Sequence, residues 1–529
     1  MILKTAPLSF FVSISTLQAQ NICNVKDFGA IGTKNQKATS FIQKAIDVCA
    51  EKGGGIVLFP SGEYVSGQIN LKSNITLHLE AGATLFASQD KNDFFISENY
   101  QADNQAKTPN KTFLIFGENL QNVSITGKGT IDGQAEHEWS DLITIDNFIR
   151  EETEIAQKSG IEMKRAYVKE PKVRLVYLHN IQNLHIENIT LQRSPDWTLH
   201  IGASEHVVVK GVRIFSDLNY GVNADGIDID GGKNIHISDC TVETGDDAIC
   251  LKTTYNNGNP VALENVTVSN CALVSTSCAL KIGTESYADM KNIIFNNCII
   301  SNSNRGIGIF VRDGASVENV LFSNLIIECN RKHFNWWGDG DAMRFVVLKR
   351  NADSKVGSIK NLHIINVVAR QEGTSLFAGF EGKPLENIYL QNVQITHFAE
   401  RTADKRSTDI LRFETIQNLN IHSLQTNWNK NAVEPKWKSA LALLNVKKGF
   451  ISCFEGSQSP SSSQQAAIRL ENCKDIIVER SRALEGTAVF LQINGANSSN
   501  IVLEDNYLEK ALRKVELGNN INKKLIKIE

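Results

Sequence analysis

Apolar and polar residues alternate in short runs along most of the chain, and one seven-residue pattern returns many times. It reads Asn, apolar, any, apolar, any, polar, apolar, as in NLHIENI at Asn183, NIHISDC at Asn234 and NVTVSNC at Asn265. Because side chains alternate between the two faces of a β-strand, each copy predicts one short strand with an apolar inner face. From Asn183 onward, successive copies begin 23, 28, 31, 27, 27, 42, 26 and 31 residues apart. A period of this size is typical of a solenoid or a propeller.

The repeat favours an all-β fold, a right-handed single-stranded parallel β-helix with one repeat in each coil. Amide side chains stacked from coil to coil can form a hydrogen-bonded ladder, which explains the recurring Asn. A sandwich or a propeller of short strands is the alternative, but neither places the same residue type at the same step so regularly. We therefore predict one β-helix domain over residues 20–529.

Three segments differ from the repeat. Residues 39–52, TSFIQKAIDVCAEK, carry apolar residues at helical spacing (Phe41, Ala45, Ile46 and Cys49) before three glycines, which predicts an N-terminal helix that caps the first coil. Residues 136–170 are charged and partly helical, and residues 331–345 fill the longest gap between repeats. We expect these last two segments to be excursions beside the barrel.

The N-terminus and the composition describe an exported, soluble protein. Residues 1–19 combine Lys4, an apolar run and the small residue Ala19, a pattern typical of a signal peptide, which predicts a periplasmic or secreted protein. No later stretch has the roughly 20 apolar residues that span a bilayer. With 55 Lys+Arg and 58 Asp+Glu, the net charge of −3 provides no basic field for nucleic acid. We expect a monomer that binds no nucleic acid.

Ten cysteines in an exported chain raise the question of disulfides. Cys240, Cys271 and Cys298 occupy the same step in three copies of the repeat, so they should stack as small buried hydrophobes. We predict mostly free, buried thiols. Because no Cys or His cluster has zinc spacing, we predict neither a metal site nor another cofactor.

Two neighbouring coils carry acidic turns in register, NADGIDID at 223–230 and GDDAICLK at 245–252. When their inward apolar pairs are aligned, Asp225 falls over Asp247, about 4.8 Å away, with Asp246 beside it. Three crowded carboxylates repel, so at least one should hold a proton near neutral pH. An acid beside ionised carboxylates is what hydrolysis of a glycosidic bond needs. A calcium site or a solvated acidic turn is the alternative.

Six further stretches agree with the acidic strings in one family resemblance. They are VKDFGAIG at Val25, GGGIVLFPSGEYVSG at Gly53, GTIDGQ at Gly129, SPDWTLHI at Ser194, CALKIGTES at Cys278 and NWWGDGDAM at Asn335. Together these motifs resemble the bacterial polygalacturonases of glycoside hydrolase family 28, from about residue 24 to 400. The resemblance implies a pectin lyase-like β-helix and an inverting hydrolase that acts on α-linked galacturonic acid in pectic polysaccharide or oligosaccharide.

The resemblance also implies roles for individual residues. Asp246 matches the general acid of the family, and Asp225 and Asp247 match the pair that holds and activates the attacking water. Asn223 matches the polar residue that opens the first acidic motif. The crowding argument agrees with this assignment but does not itself select the acid.

The chain departs from the family pattern on the next two coils. Endo-acting members carry Gly-His-Gly where this chain reads Ser-Cys-Ala at 277–279, and Arg-Ile-Lys, which normally holds the sugar carboxylate, where it reads Gly-Ile-Phe at 308–310. Other cations can take over this role, and aromatic rings can stack on a sugar. The alternative for each is a solvated, ion-paired or packed side chain. Our candidates for substrate binding are Lys281, Arg305, Arg312, His200, Trp336 and Trp337.

The sequence alone leaves three functions possible. The leading hypothesis is a pectin-directed glycosidase that acts on galacturonan ends, on the alternating rhamnose–galacturonate chain or on a side-chain galacturonide. The two excursions would close one end of the groove and favour exo action. A β-helix polysaccharide lyase with a basic residue and calcium is the second hypothesis, and a non-catalytic carbohydrate-binding β-helix is the third.

Overall fold

Short strands of each coil pair in parallel with the strands of the coils before and after it. The computed structural model describes residues 21–95, 112–142, 147–255, 259–332, 337–519 and 521–528. The predicted signal peptide at 1–19 and Trp336 lie outside the described residues. Thirty-six strands join in one continuous parallel array. The chain is therefore a parallel β-helix, as the repeat predicts.

The strands follow one another through the whole chain, and the two α-helices belong to the cap and to the first excursion. The strands before the acidic turns are Ile22–Asn24, Gly55–Phe59, Gly62–Ser66, Ile69–Asn70, Ile75–Leu79, Ala83–Ala87, Thr112–Gly127, Thr130–Asp132, His137–Asp141, Lys164–Val168, Val173–Glu187, Thr190–Gln192, Leu199–Lys210 and Arg213–Phe215. The central strands are Ile227–Ser238, Thr241–Thr244, Ile249–Thr253, Leu263–Ser269, Ala272–Ser275, Cys278–Ser286, Met290–Asn296, Ile299–Ser303, Arg305–Val311, Ser316–Cys329 and Asp341–Val347. The last strands are Ser358–Gln371, Ser375–Ala378, Leu385–His397, Leu411–Trp428, Leu441–Ser452, Glu455–Gly456, Ala466–Glu471, Lys474–Glu479, Arg482–Ala483, Thr487–Asn494, Ser499–Glu504, Ala511–Leu517 and Ile526–Ile528. The helices are Thr39–Glu51 and Asn147–Lys158, with 3-10 turns at Val25–Phe28, Lys91–Asp93 and Lys523–Leu525.

The repeated Asn forms a ladder along one corner of the coils. The amide of Asn292 donates to Asn265 at 3.1 Å and accepts from Asn319 at 3.0 Å, and Asn265 donates in turn to Asn234 at 3.0 Å. Asn292 has a φ of 59°, in the left-handed region that Asn tolerates better than other residues with a Cβ. The recurring Asn therefore serves both the ladder and the turn of the backbone.

Inward side chains of the coils form the core. Columns of Ile, Leu, Val and Phe are fully buried along the barrel, and removal of this apolar surface from water is the main stabilising term. Cys240, Cys271 and Cys298 extend one such column. All ten cysteines are free, and nine of them are buried, which confirms the prediction made from their place in the repeat.

The N-terminal cap is the helix Thr39–Glu51, which ends one residue earlier than the pattern predicts. Its buried residues are Ile42, Ala45, Ile46 and Cys49. Phe41 was predicted to face the core but is only half-buried, and its ring lies against Gly29, where an added Cβ would be 2.8 Å from it. Ile42 faces the core instead, because the helix is rotated so that the Phe41 ring closes over the preceding turn.

The first excursion, residues 136–170, is an arm that lies along the barrel. Its strands His137–Asp141 and Lys164–Val168 pair as an antiparallel hairpin, and the helix Asn147–Lys158 follows the first of them. At the base of the arm Trp139 lies 4.7 Å from the ring of Tyr220. The arm is thus fixed to the loop that precedes the first acidic turn.

The far part of the arm reaches the second excursion. Ala156 and Met163 form a small apolar cluster against which Trp337 packs. Glu152 forms an ion pair with Arg406, which belongs to a much later coil. The two predicted excursions therefore contact each other and span several coils. None of the described helices has the length and apolar character that crossing a membrane requires.

Candidate active site

The two acidic turns precede adjacent strands, Ile227–Ser238 and Ile249–Thr253, which pair in parallel. The N–H of Gly226 donates to the carbonyl of Asp247 at 2.9 Å and fixes one turn against the next. A Cβ at Gly226 would lie 2.4 Å from the Ala248 carbonyl oxygen. Glycine at this position therefore allows the two turns to approach, and the acidic residues beside it are brought together.

Asp225, Asp246 and Asp247 form one carboxylate cluster. Each offers an oxygen, and these oxygens all lie within 4.8 Å of one another. The side chains are nearly buried, with 2%, 5% and 1% of the residue surface exposed for Asp225, Asp246 and Asp247. Asp246 is thus the member of the cluster that is most open to the outside of the barrel.

Asp246 and Asp247 are held by different kinds of donors. Asp246 accepts hydrogen bonds from the backbone N–H groups of Asn223 at 2.9 Å and Asp247 at 2.8 Å. Asp247 accepts from the hydroxyl of Ser277 at 2.8 Å, from the ammonium group of Lys281 at 2.5 Å and from the backbone N–H of Cys278 at 3.2 Å. The ammonium group of Lys281 therefore bonds Asp247, while backbone N–H groups hold Asp246.

The environment makes the protonated form of the cluster favourable. Burial raises the pKa of Asp246 well above the ordinary 3.8, and the charges of Asp225 and Asp247 raise it further. Burial also raises the pKa of Asp225, although the ammonium group of Lys252 opposes that rise. Lys252 bonds Asp225 and Lys281 bonds Asp247, whereas the hydrogen bonds to Asp246 come from backbone N–H groups.

Lys252 is a member of the site that the sequence argument missed. Its ammonium group lies 3.1 Å from Asp225, 3.0 Å from Asp228 and 3.9 Å from Glu285, and 3.6 Å from the centre of the Trp197 ring. Burial opposes the charge of Lys252, but the neighbouring carboxylates raise its pKa well above the ordinary value. The strand alternation that turns Ile249 and Leu251 inward would have placed this lysine on the outer face.

The cluster is also the one group among the described residues with three acidic, His or Cys side chains close enough to hold a metal ion. Carboxylate oxygens suit a hard cation such as calcium. Two of the three carboxylates are already bonded to ammonium groups, those of Lys252 and Lys281. These lysines supply the positive charge that a cation would otherwise bring.

The structure gives the three predicted substrate-binding cations different surroundings. Lys281 is held by Asp247, as described above. Arg305 is buried and forms a bidentate salt bridge with Asp341, with N–O distances of 2.7 and 3.2 Å. Arg312 is half-buried and directly follows the strand Arg305–Val311. Ion pairing was the alternative to substrate binding for these cations, and Arg305 is paired with Asp341, while Arg350 bonds Asp313 at 2.7 Å.

His200 lies away from the surface, whereas Trp337 is half-buried. His200 is fully buried between Arg174, at 2.7 Å from Nδ1, and Asp230, at 3.2 Å from Nε2. In this structure it supports the floor of the groove rather than facing a ligand. Trp337 packs against the arm, and its carbonyl accepts a hydrogen bond from Arg305 at 2.8 Å.

The outward side chains beside the cluster differ in exposure along the barrel. They form a column on consecutive strands, in which Cys250 is aligned with Lys281 and Asp228 with Cys250. Asp228 and Cys250, on the strands that follow the two acidic turns, and His200, on the strand before them, are fully buried. On a later coil the side chain of Arg344 is 22% exposed. The exposed part of this column therefore lies on the later coils.

Three clustered carboxylates on a parallel β-helix, two of them bonded to lysines, can supply the acid and the base that a glycosidase needs. A family model described as glycosyl hydrolases family 28 matches residues 49–407, and the chain belongs to this family. The barrel is accordingly right-handed, as in the solved structures that it resembles.

Two curated relatives and two solved structures show how far the similarity extends. A probable polygalacturonase of Vitis vinifera is 32% identical over 237 residues, 44% of each chain. An exo-poly-alpha-D-galacturonosidase of Dickeya chrysanthemi is 28% identical over 263 residues, 45% of this chain and 43% of that protein. The matched part spans less than half the length of these relatives.

The family 28 exopolygalacturonase of Yersinia enterocolitica has a TM-score of 0.59 at 20% identity, covering 81% of this chain and 78% of that one. The polygalacturonase of Erwinia carotovora has a TM-score of 0.54 at 19% identity, covering 72% of this chain and 95% of that one, and both likenesses concern the fold alone.

Proposed function

We propose that this chain hydrolyses α-linked galacturonic acid from pectic oligosaccharides, with Asp246 as general acid. The observation that carries the proposal is the cluster itself, in which a buried carboxyl group with a raised pKa lies beside two carboxylates that lysines hold. The relatives named polygalacturonase and exo-poly-alpha-D-galacturonosidase support the choice of sugar. The signal-peptide pattern at 1–19 supports action outside the cytoplasm.

The proposed reaction is a single displacement. Asp246 donates its proton to the glycosidic oxygen, while Asp225 and Asp247 position a water molecule and accept its proton. Inverting enzymes usually separate their acid and base by about 6.5–9.5 Å, whereas the oxygens of the cluster lie within 4.8 Å. The family resemblance favours inversion and the spacing favours retention, so the stereochemistry of the product is a decisive measurement.

We further propose that the enzyme acts from a chain end. On the coil before the cluster the outward side chain of His200 is fully buried, and we take this covered side as the end at which a polysaccharide chain would stop. A closed end beside the reacting bond is the geometry that exo action requires. The arm contributes a side wall rather than this end.

One observation favours the alternating rhamnose–galacturonate chain as an alternative substrate. On the strand after Lys281, the ring of Phe310 covers Gly308, where an added Cβ would lie 2.6 Å from it. The ring lies 5.8 Å from the Lys281 ammonium and 4.9 Å from the Arg305 guanidinium. This apolar surface suits a neutral deoxy sugar better than an acidic one.

The proposal is tested by product analysis on galacturonate oligomers labelled at the reducing end. We expect the wild type to release single galacturonic acid units and Asp246→Asn to bind the oligomer without turnover, with kcat reduced at least about 100-fold. Asp239→Asn is the matched control, since Asp239 lies on the same coil in the exposed Asn ladder, and it should retain activity.

Three results would contradict parts of the proposal. Mid-chain products in the first minutes would overturn exo action. Unsaturated products that absorb near-ultraviolet light, with activity lost to a chelator, would indicate a lyase. Full activity in Asp246→Asn would remove Asp246 from the chemistry.

A further inference from the structure

The outer column of the groove continues beyond the cluster as a regular series. Lys281, Gly308, Arg344, Leu376 and Arg412 occupy aligned positions on five consecutive strands. Strands are about 4.8 Å apart, so Arg344 lies about 10 Å and Arg412 about 19 Å from Lys281 along the barrel. A cation therefore faces outward on every second strand of the open side.

A cavity of about 310 Å³ lies at this distal end of the column. Its lining includes three guanidinium groups and two carboxylates, together with small hydroxyl side chains. The charged members are Asp339, Arg344, Arg406, Arg412 and Glu414. The volume is sufficient for a sugar ring, and the lining has one more positive than negative group.

Carboxylates hold the guanidinium groups of this cavity in place. Arg344 bonds Asp339 at 2.7 Å and Asp341 at 3.2 Å. Arg412 is paired with Glu414 and lies 3.9 Å from Asp409. Side chains that are already held lose little rotamer freedom when a ligand binds. The side chain of Arg412 is still 31% exposed, so one edge of its planar group is available to a carboxylate.

The arm closes the side of the same cavity. Arg406 is bonded to Asp404 at 2.7 Å and to Glu152 on the helix of the arm. The cavity is thus bounded by the sheet, by the loop that carries Arg406 and, through Glu152, by the arm. An extended polysaccharide that leaves the cluster along the open groove would reach it after a few sugar units.

From this geometry we infer that the cavity at Arg344 and Arg412 is a distal subsite that binds an acidic sugar unit of the leaving chain. The inference rests on the proposed function, because the reacting bond is placed at the carboxylate cluster. The subsite would hold a uronate carboxylate by the exposed edge of Arg412, a few units from the cleaved bond. It gives the enzyme a preference for longer oligomers.

The test compares Arg412→Gln with Arg469→Gln on galacturonate oligomers of two to six units. Arg469 lies two strands further in the same column and bonds Asp409 at 3.2 Å, but it does not line the cavity. We expect Arg412→Gln to lower kcat/KM for the hexamer about tenfold, the effect of one lost charged hydrogen bond, with little change for the dimer. Equal losses at every length, or an equal loss in Arg469→Gln, would overturn the subsite.

Two further measurements separate the subsite from the function. Methyl esterification of the oligomer should abolish the difference between the wild type and Arg412→Gln, and a difference that persists would overturn the uronate assignment. Calorimetry in the Asp246→Asn background should show about tenfold weaker hexamer binding for Arg412→Gln. If the wild type cleaves no oligomer but this difference remains, the proposed function fails and the subsite stands; if affinities are equal, the subsite fails.

Discussion

Lys252 and Lys281 allow three carboxylates to share a nearly buried patch. Each lysine bonds one member of the cluster, and an oxygen of each of the three carboxylates lies within 4.8 Å of the others. Cationic partners offset the repulsion among these carboxylates. Under the proposed mechanism, the lysines suit Asp225 and Asp247 to act as bases beside Asp246 as the acid.

Replacement of Lys252 by methionine should destabilise the fold in a pH-dependent way. Burial raises the pKa of Asp228 to about 7 even with the ammonium group present, so this carboxyl group stabilises the fold below the unfolded pKa of about 4 and loses that contribution as the pH rises toward 7. Without the lysine the pKa rises further, and the loss continues above pH 7. We expect Lys252→Met to cost about 3–5 kcal/mol at pH 8 and much less at pH 4.5.

Urea unfolding at the two pH values measures this difference. Lys291→Met is the control, because Lys291 pairs with Glu264 on the exposed surface at 3.0 Å and should cost less than about 1 kcal/mol at either pH. An equal loss for Lys252→Met at both pH values would show that only the packing of its aliphatic stem matters.

The sequence predicted the three acidic residues of the cluster but not the bonds that Lys252 and Lys281 make with them. The alignment of Asp225 over Asp247 follows from the strand register, which can be inferred from the repeat in the sequence. Trp197 and Lys252 come together because a turn of one coil folds over a strand two coils later, and no local pattern encodes that contact. The roles of the acids themselves stay a prediction.

The Asn ladder is the element that keeps the coils in register. Its amides bond from coil to coil, and its backbone adopts the left-handed conformation at the corner of each coil, within the strand. The repeat in the sequence predicted the strands and the ladder because both depend on local residue type. The arm was predicted only as an excursion, since its contacts join distant segments such as Glu152 and Arg406.

Substitution of an Asn in the middle of the ladder should separate the contribution of its amide hydrogen bonds from that of its left-handed backbone. Asn292→Ala removes two amide hydrogen bonds and puts alanine, which tolerates the left-handed region less well than Asn, at a φ of 59°, so we expect a loss of about 1–2 kcal/mol. Asn292→Gly removes the bonds but relieves the backbone and should cost less. Midpoints of urea unfolding provide the comparison, and a larger loss for the glycine variant would contradict this explanation.

At the scale of the whole molecule, the barrel converts a linear repeat into a column of outward side chains. This column is buried at His200, Asp228 and Cys250 and partly exposed at Arg344 and Arg412 on the later coils. The fold class and the position of the cluster follow from the sequence. The direction of the groove does not, because it depends on which side chains from separate coils cover the floor.

Early-time NMR of the released sugar tests the central claim that Asp246 protonates the leaving oxygen while Asp225 and Asp247 deliver water directly. The substrate is an α-galacturonate oligomer, and the wild type is compared with Asp246→Asn. The account predicts β-galacturonic acid as the first product of the wild type and no product from the variant. An α-anomer formed first, or turnover that persists without Asp246, would contradict it.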